Sequence, residues 1–252
     1  MAGHSHAKNV ARRKEAQGKK KAGMFGKVAR EITVATRAGA ADPAMNPRLR
    51  IAIAKAKEVN MPNDRIKRAI EQGIPGAVDG KDYQEARYEG YGPGGVAMVI
   101  ECLTDNVTRT VGEVRLAFTK FGGTLGEAGS VGFMFERVGE IVIPAAKASA
   151  DAMFEAAVNA GAQNVESDEH DHMVYTDITD FAAVREKLEK AYGEPERSGL
   201  IWKPVTTAPV TSFETAEKLM KLIDRLEEDD DIQTVFTNME LAEDVAEKLA
   251  AA

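Results

Sequence analysis

The sequence has 252 residues, of which 44% are hydrophobic and 29% are charged, a composition typical of an ordinary globular protein. At roughly 150 residues per domain, this length predicts one or two domains, or three small ones, with cores that need no disulfide or structural metal. The single cysteine, Cys102, excludes an intramolecular disulfide, and we expect no membrane-spanning helix because no run of 18 apolar residues occurs.

The net charge of −7 conceals a strong asymmetry along the chain. Residues 1–75 contain 17 Lys/Arg and 6 Asp/Glu, a net charge of +11, whereas residues 76–252 carry a net charge of −18. Such asymmetry favours nucleic-acid binding by the basic part, and the alternative is a solvated helical surface that happens to be basic. The basic start has no apolar region of the kind a secretory signal needs, and its Ala-rich composition leaves an organelle transit peptide as the alternative.

The basic part begins with a polar stretch and continues as three predicted helices. Residues 1–22 hold almost no large apolar side chain, which predicts a segment that is mobile when free. Apolar residues at helical spacing then predict helices over 24–38, 47–59 and 63–72. Asn46 followed by Pro47 is a helix start, with the Asn side chain as the N-cap. The sequence therefore predicts a small helical bundle with a positively charged outside.

From about residue 78 the pattern becomes that of mixed strands and helices. Residues 88–95 read as a turn-rich segment and residues 96–103 as a buried strand. Thr110 with Glu113 three residues later is a capping box that predicts a helix start. Further strands are predicted over 132–135 and 139–143.

From residue 139 the predicted order is strand, helix, strand, strand, helix, strand, the split βαβ pattern of a ferredoxin-like module. Its elements are predicted over 139–143, 149–160, 163–166, 173–176, 180–192 and 198–203. A second capping box, Thr211 with Glu214, opens the last stretch, which holds a strand over 232–236 and a helix from about 239.

We therefore predict an α+β multidomain fold. The basic N-terminal arm and three-helix bundle occupy residues 1–78. A discontinuous α+β domain comprises residues 79–136 plus 205–252, because each of these pieces lacks a helix to complete a module of its own. The ferredoxin-like βαββαβ domain, residues 137–204, is inserted in that middle domain.

Two segments raise the possibility of enzyme chemistry, and both have simpler explanations. Residues 90–95 fit G-x-G-x-x-G, but a strand follows where a dinucleotide site needs a helix, and Pro93 has no N–H to donate. His170 and His172 lie among carboxylates that could ligate a metal, but we favour a solvated hairpin turn. We expect no cofactor, no metal, no small-molecule substrate and no enzymatic activity.

Other conspicuous residues are assigned to the core or to solvent. Cys102 lies on an apolar strand and is predicted to be a buried thiol. The acidic run at 227–231 reads as a solvated turn, with contact to a basic partner surface as the alternative. The remaining predicted core residues are Met61, Met98, Met134, Trp202 and Phe236.

The basic arm and bundle are the candidate binding region, since Lys and Arg bind phosphates by charge and release counterions from nucleic acid. Few aromatic residues accompany them, which favours backbone contact over base stacking. The candidate nucleic-acid-binding residues are Lys8, Arg12, Arg13, Lys14, Lys19, Lys20, Lys21, Lys27, Arg30, Arg37, Arg48 and Arg50.

Ordered motifs along the whole chain resemble the YebC/PmpR family. They occupy residues 2–5, 30–32, 42–50, 60–62, 88–96, 103–106, 109–111 and 129–135. The resemblance implies a cytoplasmic three-domain protein with an N-terminal helical domain and two α+β domains, one inserted in the other. It also implies transcriptional regulation through DNA binding at promoter regions.

The same family includes mitochondrial translational activators, so the resemblance leaves ribosomal RNA open as the ligand. This sequence departs from the family pattern in two places. The family often has Lys-Trp after Gly-His-Ser, where this chain has His6 and Ala7. The family's Asp-Asn-Arg-Asn-Arg-Thr is here residues 105–110 with Val107 in place of the first arginine and Thr108 in place of the second asparagine. The first difference removes an aromatic side chain from the arm, and the second removes an arginine from a loop.

Overall fold

The computed structural model describes residues 17–77 and 82–251, with side chains over 23–77 and 82–250. The described helices are α1 (Gln17–Ala38), α2 (Pro47–Glu58), α3 (Asn63–Gly73), α4 (Val107–Phe121), α5 (Ala150–Ala160), α6 (Phe181–Tyr192), α7 (Phe213–Glu227) and α8 (Glu243–Ala251). The described strands are β1 (Gln84–Tyr91), β2 (Ala97–Thr104), β3 (Thr124–Leu125), β4 (Phe135–Pro144), β5 (Asn164–Ser167), β6 (Asp171–Thr176), β7 (Arg197–Pro204), β8 (Ala208–Val210), β9 (Ile232–Thr237) and β10 (Met239–Leu241). The predicted α+β fold class is confirmed.

The described chain separates into two compact units. One unit spans residues 133–207, and the other joins the residues before it to those after it. The three helices of the basic part belong to this second unit. The finer division into three domains stays a prediction.

The basic part forms the three predicted helices around its own apolar core. The side chain of Asn46 links two of them: its Oδ1 accepts from the Leu49 amide at 3.1 Å, and its Nδ2 donates to the carbonyls of Ala35 and Ala40, both at 2.8 Å. The predicted N-cap is thus confirmed. The buried core residues are Val28, Ile32, Ala35, Leu49, Ala52, Ala56, Met61, Ile66 and Ala69.

Helix α1 begins at Gln17, seven residues before the predicted start at residue 24. The predicted helix start is therefore wrong, and the polar stretch predicted up to residue 22 is helical from Gln17 onward. Residues 19–22 are three lysines and an alanine, whose helix propensity offsets that of Gly18 even without an apolar face.

Strands that precede residue 133 in the sequence and a strand that follows residue 207 form one sheet, in the order β3-β1-β2-β9. Strand β2 is antiparallel to β1 on one side and to β9 on the other, with Ile100 opposite Val235. Side chains from α4, α7 and α8 pack into the same core as β2 and β9, and Phe118 and Leu219 are fully buried there. Each such side chain stabilises the fold by about 1.5–3 kcal/mol through burial alone.

The 133–207 unit has the predicted ferredoxin-like order of elements. Its sheet runs β5-β6-β4-β7 with all neighbours antiparallel, and α5 and α6 connect the strands. Helix α5 begins at the predicted cap Ser149, whose Oγ accepts from Ala152 N, and ends at Gly161 with a φ of 104°. The strand predicted over 139–143 lies within β4. The strand predicted over 132–135 is wrong for its first three residues, which form a 3₁₀ turn (Gly132–Met134) just before β4.

The segment read as turn-rich, residues 88–95, is a strand as far as Tyr91, so the prediction is wrong for its first half. Gly90 is glycine because of close packing: a Cβ there would lie 2.6 Å from the carbonyl of Thr124 and 2.9 Å from the ring of Phe118. The turn itself is at Gly94 and Gly95, which have φ values of 76° and 74°. A hairpin between β1 and β2, not a phosphate loop, therefore explains the glycines.

Both predicted capping boxes are wrong by a few residues. Helix α4 is capped by Asn106, whose Oδ1 accepts from the Arg109 amide at 3.0 Å, and Thr110 lies inside the first turn. Helix α7 is capped by Ser212, next to the predicted Thr211. In each case an earlier or adjacent side chain reaches the free amides first.

The carboxylate of Glu89 is buried and holds the turn that precedes the 133–207 unit. Its Oε2 accepts from the amides of Val131 and Gly132 at 2.9 and 2.8 Å. Burial by itself would raise the pKa of Glu89, but backbone hydrogen bonds from Val131, Gly129 and Gly132 and the charge of Arg87 together lower it.

His172 is 2% exposed, so the prediction of a solvated turn is wrong for this residue. Its Nε2 lies 2.9 Å from the carbonyl of Ala148 and its Nδ1 lies 2.7 Å from Oγ of Ser167. Since a carbonyl only accepts, Nε2 donates to Ala148, while Nδ1 is hydrogen-bonded to the hydroxyl of Ser167. His170 is exposed, as predicted for the turn.

The predicted core residues differ in how deeply they are buried. Met61, Met98 and Cys102 are buried, which confirms them. Met134, Trp202 and Phe236 are only half-buried, so their assignment to the core is wrong. Arg137 lies over the ring of Trp202, 5.2 Å from its centre.

Candidate nucleic-acid interface

The predicted binding residues fall into three groups. Lys8, Arg12, Arg13 and Lys14 lie outside the described residues. Lys19, Lys20 and Lys21 are on α1, but their side chains lie outside the described part. Lys27, Arg30, Arg37, Arg48 and Arg50 are described in full.

Arg30 is directed at the chain's own oxygen atoms. Its Nη1 donates to the carbonyls of Leu103 at 3.2 Å and Asp230 at 2.7 Å, and it pairs with the carboxylate of Asp231. The guanidinium also lies over the ring of Tyr83, 5.2 Å from its centre. With its side chain 16% exposed, Arg30 has little surface left for an external phosphate in this arrangement.

Lys27 lies one turn earlier on α1 and makes a similar contact. Its Nζ donates to the carbonyl of Glu227 at 2.6 Å. That carbonyl is in the last turn of α7, where the helix leaves unpaired acceptors that favour a cation. Lys27 and Arg30 together hold α1 against the acidic run that ends α7.

Asp231 collects donors from several elements. Its Oδ2 accepts from Thr104 at 3.1 Å, Thr110 at 2.8 Å and Arg109 at 2.5 Å, while Oδ1 accepts from Arg30. Burial alone would raise the pKa of Asp231, but these four donors outweigh it and lower the pKa to about 2.

The expectation that the acidic run is a solvated turn is therefore wrong for Asp231, which is 3% exposed. A lone buried carboxylate would be costly, and the donors around Asp231 make its charge stable there. The basic surface that meets this run belongs to the same chain.

Arg37 and Arg48 form outer ion pairs. Nη1 of Arg37 lies 2.5 Å from Oδ1 of Asp82, and Nη2 of Arg48 pairs with Glu85. Asp82 and Glu85 have side chains that are 84% and 62% exposed, so each pair contributes on the order of 0–1 kcal/mol. These arginines are held weakly.

Four cations on α2 and α3 are exposed and form no ion pair with another described residue. They are Arg50, Lys57, Lys67 and Arg68. Arg50 and Lys57 are seven residues apart and so share one face of α2. Of the four, Arg50 alone was predicted. The seven-residue spacing from Arg50 could have identified Lys57 as a residue on the same helix face. Nothing in the sequence distinguishes Lys67 and Arg68 from other exposed cations.

Neighbouring cations on the helices have partners of their own. Lys55 pairs with Glu31 at 3.1 Å, and Arg65 lies 5.6 Å from the centre of the Phe25 ring. Since α2 and α3 both pack on α1 through the helical core, the four free cations stand on a rigid support. Such an arrangement can bind phosphate groups by charge without any rearrangement of the helices.

Across residues 17–77 and 82–251, no group of three or more His, Cys, Asp or Glu side chains is arranged to hold a metal ion. Within that same part of the chain, each helix is too short or too polar to cross a membrane.

Two family models match this chain. One describes the TACO1/YebC protein N-terminal domain and matches residues 5–75, and the other describes the TACO1/YebC second and third domain and matches residues 83–239. A solved structure of a conserved hypothetical protein from Aquifex aeolicus is 44% identical, with a TM-score of 0.81 over 90% of this chain and 93% of that chain. The two models together cover most of the sequence, in agreement with the resemblance seen in its motifs, and the chain belongs to the TACO1/YebC family.

Proposed function

We propose that this protein is a nucleic-acid-binding regulator that contacts phosphates through its basic N-terminal region. The observation that carries the proposal is the exposed set Arg50, Lys57, Lys67 and Arg68 on α2 and α3, which has no acidic partner among the described residues. The Lys and Arg residues predicted to bind in the segment before residue 22 would add to the positive charge of these helices.

DNA is the first candidate ligand, with transcriptional regulation as the role. The model that matches residues 83–239 bears a short name that denotes transcription regulation. The rigid basic helices suit backbone contacts, which position a protein on nucleic acid without reading its sequence.

Ribosomal RNA is the second candidate, with a role in translation. The net charge of −18 on residues 76–252 favours it, because such a surface repels a long duplex and confines contact to one end of the protein. Co-sedimentation with ribosomes at physiological salt discriminates the two. Sequence-specific promoter binding without co-sedimentation would support DNA.

Binding rather than catalysis is also part of the proposal. The residues first considered for chemistry are used within the fold: both ring nitrogens of His172 are occupied, and burial raises the pKa of Cys102 to about 12. A turnover of nucleotide or nucleic acid that purified protein sustains would contradict this part.

The test is the salt dependence of binding to a labelled 30-base-pair duplex and to an RNA hairpin of equal charge. Each cation that neutralises a phosphate contributes about 0.9 to the slope of log affinity against log salt. The variant with Arg50→Gln, Lys57→Gln, Lys67→Gln and Arg68→Gln should therefore lose about 3 to 4 from that slope.

A matched control removes the same charge elsewhere. Lys190, Lys218, Lys221 and Lys248 are exposed cations in i,i+4 pairs on α6, α7 and α8. Changing all four to Gln should leave the slope nearly unchanged. Equal losses in both variants would show that net charge, and not this face, controls binding.

A further inference from the structure

Side-chain hydrogen bonds and ion pairs join helices α1–α3 to the rest of their unit. Four cations of the helices meet six residues that supply oxygen atoms, and we call this set the latch. Its members are Lys27, Arg30, Arg37 and Arg48 on the helices, and Asp82, Glu85, Leu103, Glu227, Asp230 and Asp231 opposite them.

The apolar cores on the two sides of the latch are separate. The helices bury one cluster that includes Ile32 and Leu49, and the β3-β1-β2-β9 sheet with its helices buries another that includes Met98 and Phe118. Among the residues with described side chains, the two clusters share no member, and the hydrogen bonds and ion pairs of the latch lie between them. An interface of this kind is weakened by salt and by competing ions.

The acidic side of the latch is stable without the helices. Three of the four donors to Asp231, namely Thr104, Arg109 and Thr110, are on β2 and α4. Only Arg30 would leave with α1. The carboxylate therefore keeps its Oδ2 partners when the latch opens, and its Oδ1 gains water in place of Arg30.

The cationic side of the latch meets groups that resemble phosphate. Arg30 and Lys27 donate to carboxylate and carbonyl oxygens of the chain. In a nucleic-acid complex, the same nitrogen atoms would donate to phosphate oxygens. Arg30 is too buried to reach an external phosphate while these contacts persist.

We propose that the latch is an autoinhibitory contact, in which the acidic end of α7 occupies the cations of α1 until nucleic-acid phosphates displace it. This inference rests on the proposed nucleic-acid binding and concerns its regulation. In the closed state the protein binds through Arg50, Lys57, Lys67 and Arg68 with the preceding basic segment. In the open state Lys27, Arg30, Arg37 and Arg48 add to the contact.

A reversible disulfide tests the latch directly. A Cβ at Gly23 would lie 3.6 Å from Oδ1 of Asp230, an atom two bonds from the Asp230 Cβ, so the two positions are neighbours across the latch. Two cysteines at these positions form a disulfide on oxidation only if their Cβ atoms come within about 4.5 Å of each other. The full-length variant Gly23→Cys with Asp230→Cys is oxidised to lock the latch and reduced to free it. The buried thiol of Cys102 does not interfere.

Both forms are titrated with the labelled duplex and with the RNA hairpin over a series of salt concentrations. The oxidised form should bind about tenfold or more weakly, with a salt slope smaller by about 2 to 4, and reductant should restore both. The single variants Gly23→Cys and Asp230→Cys should not respond to oxidation.

Two results would overturn the latch: the cysteines do not crosslink on oxidation, or the oxidised and reduced forms bind with the same affinity and salt slope. Failure of the proposed function looks different: neither form then binds duplex or hairpin at low salt.

Discussion

Nη2 of Arg109 lies 2.5 Å from Oδ2 of Asp231, although the two residues are 122 positions apart in the sequence. The pair joins the first turn of α4 to the residue just before β9. Asp105, four residues before Arg109, binds the same nitrogen at 2.8 Å. The motif over residues 105–110 thus has a structural role: it holds the buried carboxylate that also receives Arg30.

Replacing Asp231 should destabilise the protein. The change Asp231→Ala removes the one carboxylate that Thr104, Thr110 and two arginines share, and we expect the free energy of unfolding to fall by about 3 kcal/mol. Denaturant titration followed by circular dichroism measures it. The neighbouring change Asp230→Ala is the control and should cost no more than about 0.5 kcal/mol, because that side chain is exposed.

The stabilisation from Asp231 should depend on pH. Its pKa is about 2 in the folded protein against an ordinary value of 3.8, so the folded state favours the ionised form. The contribution is complete above the ordinary pKa and is lost as the pH falls from about 4 through about 2, and it amounts to about 2 kcal/mol. The stability difference between wild type and Asp231→Asn should therefore shrink over that interval. A constant difference down to about pH 2 would refute the assignment.

Glu89 should be necessary for the turn at residues 129–132. The change Glu89→Ala removes the acceptor of two backbone amides, those of Val131 and Gly132, and should cost about 2–4 kcal/mol. Glu89→Gln keeps one acceptor oxygen and should cost less than Glu89→Ala. Thermal unfolding of both variants checks the order. Glu85→Gln, at an exposed position on the same strand, is the control. An equal loss of stability in Glu85→Gln and Glu89→Ala would mean that the effect is not specific to the buried carboxylate.

Cys102 should be unreactive in the folded protein. Burial, followed by the charges of Asp229, Asp231 and Glu101, raises the pKa of this thiol to about 12, so almost no thiolate is present at neutral pH. A thiol reagent at about pH 8 should label the protein only after denaturant is added. Rapid stoichiometric labelling of the native protein would contradict the burial of this side chain.

Arg50 should contribute to binding independently of the latch. It is exposed and has no ion pair with a described residue, so Arg50→Gln should lower the salt slope by about 0.9 in both the oxidised and the reduced crosslinking variant. Arg30→Gln should lower the slope only in the reduced form, because the locked form already withholds Arg30. Fluorescence anisotropy of the labelled duplex gives both values. An equal effect of Arg30→Gln in the two forms would mean that Arg30 binds no phosphate.

Much of the secondary structure could be predicted from the sequence because helices and buried strands carry local signals. The apolar spacing around Ile32 and Leu49 predicts two helices that the structure contains, and Asn46 marks the start of the second. The short strands β3, β8 and β10 were missed because two or three residues show no period. Gly90 was misread because its need for glycine comes from the ring of Phe118, not from the local backbone.

The candidate site was only partly predictable. The positive charge of the N-terminal region is a property of composition, and the prediction of a basic helical surface follows from it. Which cations are free is a property of the partners they meet. Arg30 and Arg50 are equivalent in the sequence, yet one is paired with Asp231 and the other is exposed.

The sequence by itself determined the charge of the N-terminal region, the mixed helix and strand content, and the family to which the chain belongs. The tertiary structure alone decided that Asp231 is buried and that Arg30, 201 residues away, is one of its donors. The physical reason is that net charge and hydrophobic periodicity depend only on residues that are close together in the sequence. An ion pair depends on which distant segments the folded core brings within hydrogen-bonding distance.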